Sequence, residues 1–298
     1  MLNIDTKRST INPSFDINIA AKTNKIYYVK IKNSTTSLQF SITVDDKNSF
    51  LKKDLKKQFF IVLSIGVILA FLLYAVALYF YARDKSYLLY SLYIIFLVFQ
   101  QLTYIGFLPL YMPQWFTKID NLIVVPKVSI MIITGILFAR SFLKTKKYKK
   151  LDTIYKFLIY FIILQMILFS TPYFYIPEVI VLIGLFFIFF NLYTAVYVYK
   201  NGNKQARFFI VGWFFLIIGF SLSIIDALGI YSVMYHFPYL VLVLTAVEAL
   251  FLLLAFVDKL NILQKEKDIA DNKFLNELHL RNSIVEKEVE NRTQMLKN

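Results

Sequence analysis

The stretch FFIVLSIGVILAFLLYAVALYFYA, residues 59–82, contains no charged side chain over 24 positions. A helix of about 20 apolar residues crosses the roughly 30 Å hydrocarbon core of a bilayer. Six further runs of similar character follow, and they cover residues 87–110, 122–142, 154–170, 176–199, 208–228 and 237–257. All these runs are apolar on every side, whereas strands of a membrane barrel alternate polar and apolar residues. The sequence therefore predicts a mainly α, polytopic membrane protein whose domain 58–257 is a bundle of seven transmembrane helices.

The residues before this domain, 1–57, are predicted to form a short extracytoplasmic β segment. Apolar residues alternate along residues 25–32 and 38–44, with a hairpin loop at 33–36 and an earlier strand at 15–20. Two or three strands do not bury a stable core by themselves. We therefore expect them to be the closing strands of an incomplete β-sandwich. The alternative is a tail without regular structure beside the membrane.

The residues after the bundle, 258–298, are predicted to continue the seventh helix as a cytoplasmic coiled coil. They contain neither Gly nor Pro, and their eight basic and eight acidic side chains cancel. Apolar residues recur mostly at steps of three, four and seven, as in a coiled coil. The predicted seam consists of Leu260, Leu263, Phe274, Leu278, Val285, Val289 and Leu296. We expect a homodimer through this helix; the alternative is an amphipathic helix on the membrane surface, which zero net charge disfavours.

Basic side chains in the loops predict the orientation. The first, third and fifth loops together hold eleven Lys and Arg residues, whereas the second, fourth and sixth hold only Lys118. Loops rich in Lys and Arg stay in the cytoplasm. The N-terminus is therefore predicted to be extracytoplasmic and the C-terminus cytoplasmic. The net charge of +14 then belongs to loops beside membrane lipid, and we expect no nucleic-acid partner.

Five polar residues inside the apolar runs are candidate switch or ligand contacts, because polar groups in hydrocarbon are costly. Lys127 and Glu248 are expected to face the bundle at comparable depth, and pairing between them is a hypothesis. Gln100, Gln101 and Asp226 lie toward the outer ends of their runs and are candidates for lining an outward-facing cup. For the first two residues the alternatives are a static buried ion pair or a neutral Glu248 bonded to a neighbour. For the other three the alternative is an ordinary interfacial position.

Enzymatic chemistry has no recognisable basis in this sequence. There is no Cys, which excludes disulfides and thiolate metal sites, and the two His residues are far apart. Patterns typical of zinc peptidases, serine hydrolases and nucleotide-binding loops are missing. We therefore expect no catalytic residue, no metal and no cofactor.

Three stretches carry a resemblance to a known family. They are IYYVKIKNSTTSLQFSITV at 26–44, YAVALYFYARDKSYLLYSLY at 74–93 and VENRTQML at 289–296. In this order the chain resembles the bacterial seven-transmembrane receptors with diverse intracellular signalling modules. The resemblance implies an external domain for carbohydrate or another small ligand, and a location in the bacterial inner (plasma) membrane. It also implies a cytoplasmic effector, such as a histidine kinase or diguanylate cyclase, that is fused in relatives or recruited in trans. We expect neither kinase nor cyclase activity from residues 1–298.

The pattern and the resemblance together favour a sensory transducer core. An extracytoplasmic signal would bias the bundle, and the seventh helix would pass the bias to the coiled coil. The alternative is a small-molecule transporter or permease with Lys127 and Glu248 on its pathway. Transporters often contain internal repeats and broken helices, and we find no convincing repeat here.

Overall fold

The computed structural model describes residues 10–11, 14–17, 22, 24–30, 42–169, 177–227, 230–231, 233–237 and 239–297. Within these residues, seven helices are long and apolar enough to cross a membrane, which confirms the predicted mainly α polytopic fold. In chain order the helices are α1 (Lys47–Ala82), α2 (Lys85–Tyr104), α3 (Leu108–Tyr111), α4 (Gln114–Leu122), α5 (Val124–Phe142), α6 (Lys149–Phe169), α7 (Pro177–Lys200), α8 (Ala206–Ala227), α9 (Val233–His236) and α10 (Leu240–Lys297).

Helix α1 begins well before its apolar run. The Asp46 carboxylate accepts hydrogen bonds from the backbone N–H groups of Asn48 at 3.1 Å and Ser49 at 3.2 Å, which caps the helix. The domain boundary predicted after residue 57 therefore lies inside α1. At its other end, Arg83 adopts a left-handed conformation with φ of 55°, and Asp84 caps α2. This tight turn makes α1 and α2 antiparallel neighbours.

The predicted β segment is not found in the part of the chain that the structure describes. Residues 15–17, 25–30 and 42–44 belong to the predicted strands, and none of these ranges is in a strand. The rest of the predicted hairpin, 31–41, lies outside the described residues. An isolated hairpin has no second layer against which to bury its apolar side chains. Alternation alone is therefore not sufficient to produce a sheet here.

Helix α5 occupies the centre of the bundle. It packs against α2, α6 and α7, while α1 packs on α2 and α7 on α8. The close packing of α5 depends on Gly135, because a Cβ atom there would lie 2.9 Å from the ring of Phe187 and 3.1 Å from the ring of Tyr93. Small residues of this kind let membrane helices approach closely.

Two short helices between α2 and α5 are absent from the sequence prediction. Gly106, with φ of 77°, turns the chain after α2 and leads into α3 and then α4. Helix α4 is amphipathic, with Trp115 exposed and Asp120 buried. A helix of nine residues is too short to cross a bilayer, so hydropathy does not reveal it. Its importance is that it directs Asp120 inward.

The chain divides into two compact units, Met1–Leu253 and Leu254–Asn298. Helix α10 is continuous from Leu240 to Lys297, which confirms that the seventh membrane helix runs without a break into the C-terminal helix. In the second unit, the apolar residues from Leu263 onward are exposed. Ile269 and Leu280 are exposed as well. They lie on the face opposite the predicted seam, since Ile269 is nine residues before Leu278 and Leu280 is two residues after it, each about half a turn out of phase.

Candidate functional site

A buried ion pair connects α4 and α5. The ammonium group of Lys127 pairs with the Asp120 carboxylate, and the two side chains are 2% and 5% exposed. The same ammonium donates a hydrogen bond to Thr103 Oγ1 of α2 at 3.0 Å and stands 4.9 Å from the ring centroid of Phe99. Removing two charges from water is costly, so each charge here depends on its partner.

A buried carboxyl group lies where α2, α8 and α10 meet. Glu248 of α10 is completely buried, and the Tyr93 hydroxyl of α2 donates a hydrogen bond to its Oε1 at 3.3 Å. Its Oε2 has no hydrogen-bond partner among the described residues. A second tyrosine of α2, Tyr90, donates to the carbonyl oxygen of Ala249 at 3.5 Å. Two tyrosine hydroxyls thus tie α2 to α10.

Helix α8 approaches the same carboxyl group from another side. A Cβ atom on Gly212 would lie 3.3 Å from the backbone carbonyl oxygen of Glu248. A Cβ atom on Gly219 would lie 3.3 Å from a side-chain carbon of Leu244. The two glycines therefore allow α8 and α10 to pack closely along two turns, and they place Glu248 against α8.

Aromatic rings surround this junction. The aromatic cluster consists of Tyr90, Tyr93, Phe138, Phe142, Phe187, Phe209 and Trp213. Trp213 stacks on Phe209 at 5.4 Å and meets the edge of Phe187 at 5.4 Å. Its indole Nε1 is buried and has no hydrogen-bond partner among the described residues. The cluster draws on α2, α5, α7 and α8, so it joins the helices around Glu248.

The hypothesis that Lys127 pairs with Glu248 is wrong. Lys127 pairs with Asp120, and Glu248 bonds Tyr93, so the two residues belong to separate polar clusters. The physical reason is helix α4, which supplies a nearer carboxylate than the one on α10. Both residues are nevertheless buried.

The seven membrane helices agree with a family match. A family model described as 7TM diverse intracellular signalling matches residues 57–259. The chain belongs to this family. As a member of the 7TM signalling family it is a multi-pass membrane protein, and the match covers α2 to α9, most of α1 and the first part of α10. No curated protein and no solved structure matches the chain.

The remaining predicted site residues of this 7TM signalling protein are only partly buried. Gln100 and Gln101 are half-buried on α2, and Asp226 is half-buried in the last turn of α8. The amide oxygen of Gln100 is buried without a hydrogen-bond partner in the part of the chain that the structure describes. A cup lined by these three residues stays a prediction.

Sequence reasoning missed Asp120, Thr103, Tyr93 and Trp213. Asp120 precedes Lys127 by seven residues, which is two helical turns, and that spacing was an available signal. The chain breaks helical continuity at Ile123, so the pair forms between two helices rather than along one. Tyr93 and Trp213 had no comparable signal, because both lie in apolar runs rich in aromatic residues.

Proposed function

We propose that this protein is the transducer core of a sensory receptor in the bacterial inner membrane. An extracytoplasmic signal biases helix α10, and the cytoplasmic part of α10 passes the bias to an effector that is fused in relatives or recruited in trans. The observation that carries this proposal is the continuity of α10 from Leu240 to Lys297. A helix without a hinge transmits a shift or rotation along its own axis.

The input end of α10 contacts the N-terminal segment. Leu242 shares one buried apolar cluster with Ile61 of α1 and with Ile11. The backbone N–H of Ile11 donates to Asp54 Oδ1 at 3.2 Å, and the other Asp54 oxygen accepts from Gln58 Nε2 at 2.7 Å. A displacement of the segment around Ile11 therefore acts on the first turn of α10.

The membrane-spanning part of α10 supplies the switching element. Glu248 Oε1 accepts from Tyr93, whereas Glu248 Oε2 and the nearby Trp213 Nε1 have no hydrogen-bond partner among the residues that the structure describes. Most buried polar groups form hydrogen bonds. Two buried groups without a partner therefore favour a second packing of the helices, close in energy to the first, in which they form one. A small rotation of α10 would exchange these contacts.

The output end of α10 is an exposed apolar stripe. From Leu263 to Leu296 the predicted seam residues are exposed, and the segment 258–298 has no net charge. A second copy of the same helix is the occupant we propose, because heptad-like spacing suits self-pairing. Lys267 and Arg281 on the seam weaken this pairing and allow more than one register.

No observation favours a transporter. The transporter alternative requires Lys127 and Glu248 to line one transport pathway, whereas the two residues belong to separate polar clusters. Asp120 also neutralises the charge of Lys127.

Cysteine crosslinking tests the dimer, and the natural chain contains no Cys. We expect Leu278→Cys to give several-fold more disulfide-linked dimer than Asn276→Cys in oxidised membranes. Residue 276 is two positions away, about 200° around the helix, and is also exposed. Non-reducing electrophoresis measures the dimer fraction. Equal yields at the two positions would contradict the proposed seam.

The same cysteine background tests the relay. We expect Glu248→Leu to change the dimer yield of Leu278→Cys at least about twofold, because it removes the bond to Tyr93 and alters the position of α10. The matched control is Leu250→Ala, a change at an exposed position on the same helix, which should leave the yield unaltered. If folded Glu248→Leu protein gives an unchanged dimer yield, Glu248 does not influence the pairing of the C-terminal helix, and the relay is contradicted.

A further inference from the structure

The loop between α5 and α6 forms a basic groove that the signalling proposal does not use. The groove has a volume of about 620 Å³ and is lined by Arg140, Lys146, Lys149, Asp152, Thr153 and Lys156. Four of these six side chains are cationic and one is anionic. Over residues 140–156 the sequence carries seven basic residues and one acidic residue. The groove therefore has an excess of positive charge at the end of two membrane helices.

The single carboxylate organises part of this charge. Asp152 Oδ1 accepts from Arg140 Nε at 2.9 Å and lies 2.8 Å from its guanidinium Nη2, while Oδ2 pairs with Lys156 at 3.1 Å. Asp152 thereby pairs with two of the four cations, Arg140 and Lys156. Lys146 and Lys149 are exposed and form no ion pair with any described residue. Two lysines thus remain available to an anion from outside the chain.

The loop holds these lysines in a defined place. Lys144 takes a left-handed conformation with φ of 54°, and the 3-10 turn Thr145–Lys147 follows it. Thr145 is completely buried, and its hydroxyl donates to Asp152 Oδ1 at 3.3 Å. An anchored turn loses little conformational entropy when it binds a ligand. The anchored backbone therefore fixes where the loop presents Lys146 and Lys149.

A second groove adjoins the first through Lys149. It has a volume of about 420 Å³ and is lined by Tyr148, Lys149, Lys150, Leu151, Tyr193 and Tyr197. Tyr148 meets Tyr197 edge to face at 5.6 Å. Tyrosine side chains combine an apolar ring with a polar tip, which suits the boundary between headgroups and acyl chains. One side of Lys149 is thus cationic and the other amphipathic.

We propose that the two grooves bind an anionic phospholipid. Its phosphate lies between Lys146 and Lys149, beside Arg140 and Lys156, and its glycerol and upper acyl carbons lie against Tyr193 and Tyr197. The chemistry that the cations recognise is a phosphate oxygen anion. We commit to a lipid headgroup over free phosphate because the amphipathic groove continues the cationic one at the membrane interface. Basic pockets between membrane helices bind anionic headgroups by the same principle.

Native mass spectrometry of the full chain tests this site. We expect the wild type to retain phosphatidylglycerol and not phosphatidylcholine, and the double variant Lys146→Gln/Lys149→Gln to weaken phosphatidylglycerol binding roughly tenfold or more. The matched control is Lys200→Gln/Lys204→Gln, which removes two exposed lysines from the loop between α7 and α8 and should leave binding unchanged. All the substituted residues are exposed, so both variants should unfold at the wild-type temperature.

A competition arm separates the two sources of phosphate. Millimolar inorganic phosphate should leave the bound phosphatidylglycerol in place, because it cannot occupy the tyrosine-lined groove. Release of the lipid by inorganic phosphate would overturn the lipid assignment in favour of a free anion. If both double variants lose the lipid equally, the total positive charge of the loops, and not this groove, holds the lipid, and the proposal is overturned. Neither result depends on the relay through α10.

Discussion

Replacing Lys127 by Met should lower the free energy of unfolding by about 3–5 kcal/mol, because the Asp120 carboxylate would stay buried without its counter-charge. The ammonium group also bonds Thr103 Oγ1, so a polar contact between α2 and α5 disappears at the same time. Thermal unfolding of the purified protein in detergent micelles should show a large fall in the transition temperature.

A double variant separates the loss of a partner from the value of the pair itself. Asp120→Leu combined with Lys127→Met should recover most of the lost stability, because apolar side chains of similar volume often replace a buried ion pair without net cost. The matched control is Lys118→Met on α4, the helix of Asp120, where the lysine is exposed and the change should stay within about 0.5 kcal/mol. If the double variant unfolds as easily as Lys127→Met, direct pairing does not explain the effect.

The long helices were predictable because a bilayer leaves the backbone few choices. A run such as 59–82 has no charged side chain, and in a bilayer its backbone must satisfy its hydrogen bonds internally. The same reasoning predicted that α10 continues past residue 257, since no Gly or Pro interrupts it. These are local properties of a segment, and a single sequence contains them.

The partners of buried groups were not predictable in the same way. Lys127 could be recognised as costly, but hydropathy does not show which helix lies beside it, and the short amphipathic helix α4 escaped a search for long apolar runs. Residues 25–30 show the converse error, because they alternate as a strand would but are not in a strand, and a local β pattern needs a second layer to form a sheet. Apolar Ile269 and Leu280, opposite the predicted seam, likewise show that spacing alone does not choose one contact face.

Replacing Trp213 by Ala should cost about 3–5 kcal/mol, because the indole is completely buried among aromatic rings of several helices. The substitution removes the contacts with Phe209 and Phe187 and leaves a cavity, which the rigid neighbouring rings cannot fill by small shifts. Lipid does not compensate, since tight packing between helices supplies the stability that water-driven burial supplies in soluble proteins. Thermal unfolding in matched micelles measures the loss.

The chain provides its own control, since Trp115 is the other of its two tryptophans and is 63% exposed. Trp115→Ala should change stability by no more than about 0.5 kcal/mol. That variant also leaves Trp213 as the single indole, so its emission should be blue-shifted when folded and should move to longer wavelength during unfolding. Equal destabilisation by the two substitutions would show that the aromatic cluster does not hold the helices together. Tyr93, which belongs to that cluster and bonds Glu248, would then lack the rigid support that a switch on α10 requires.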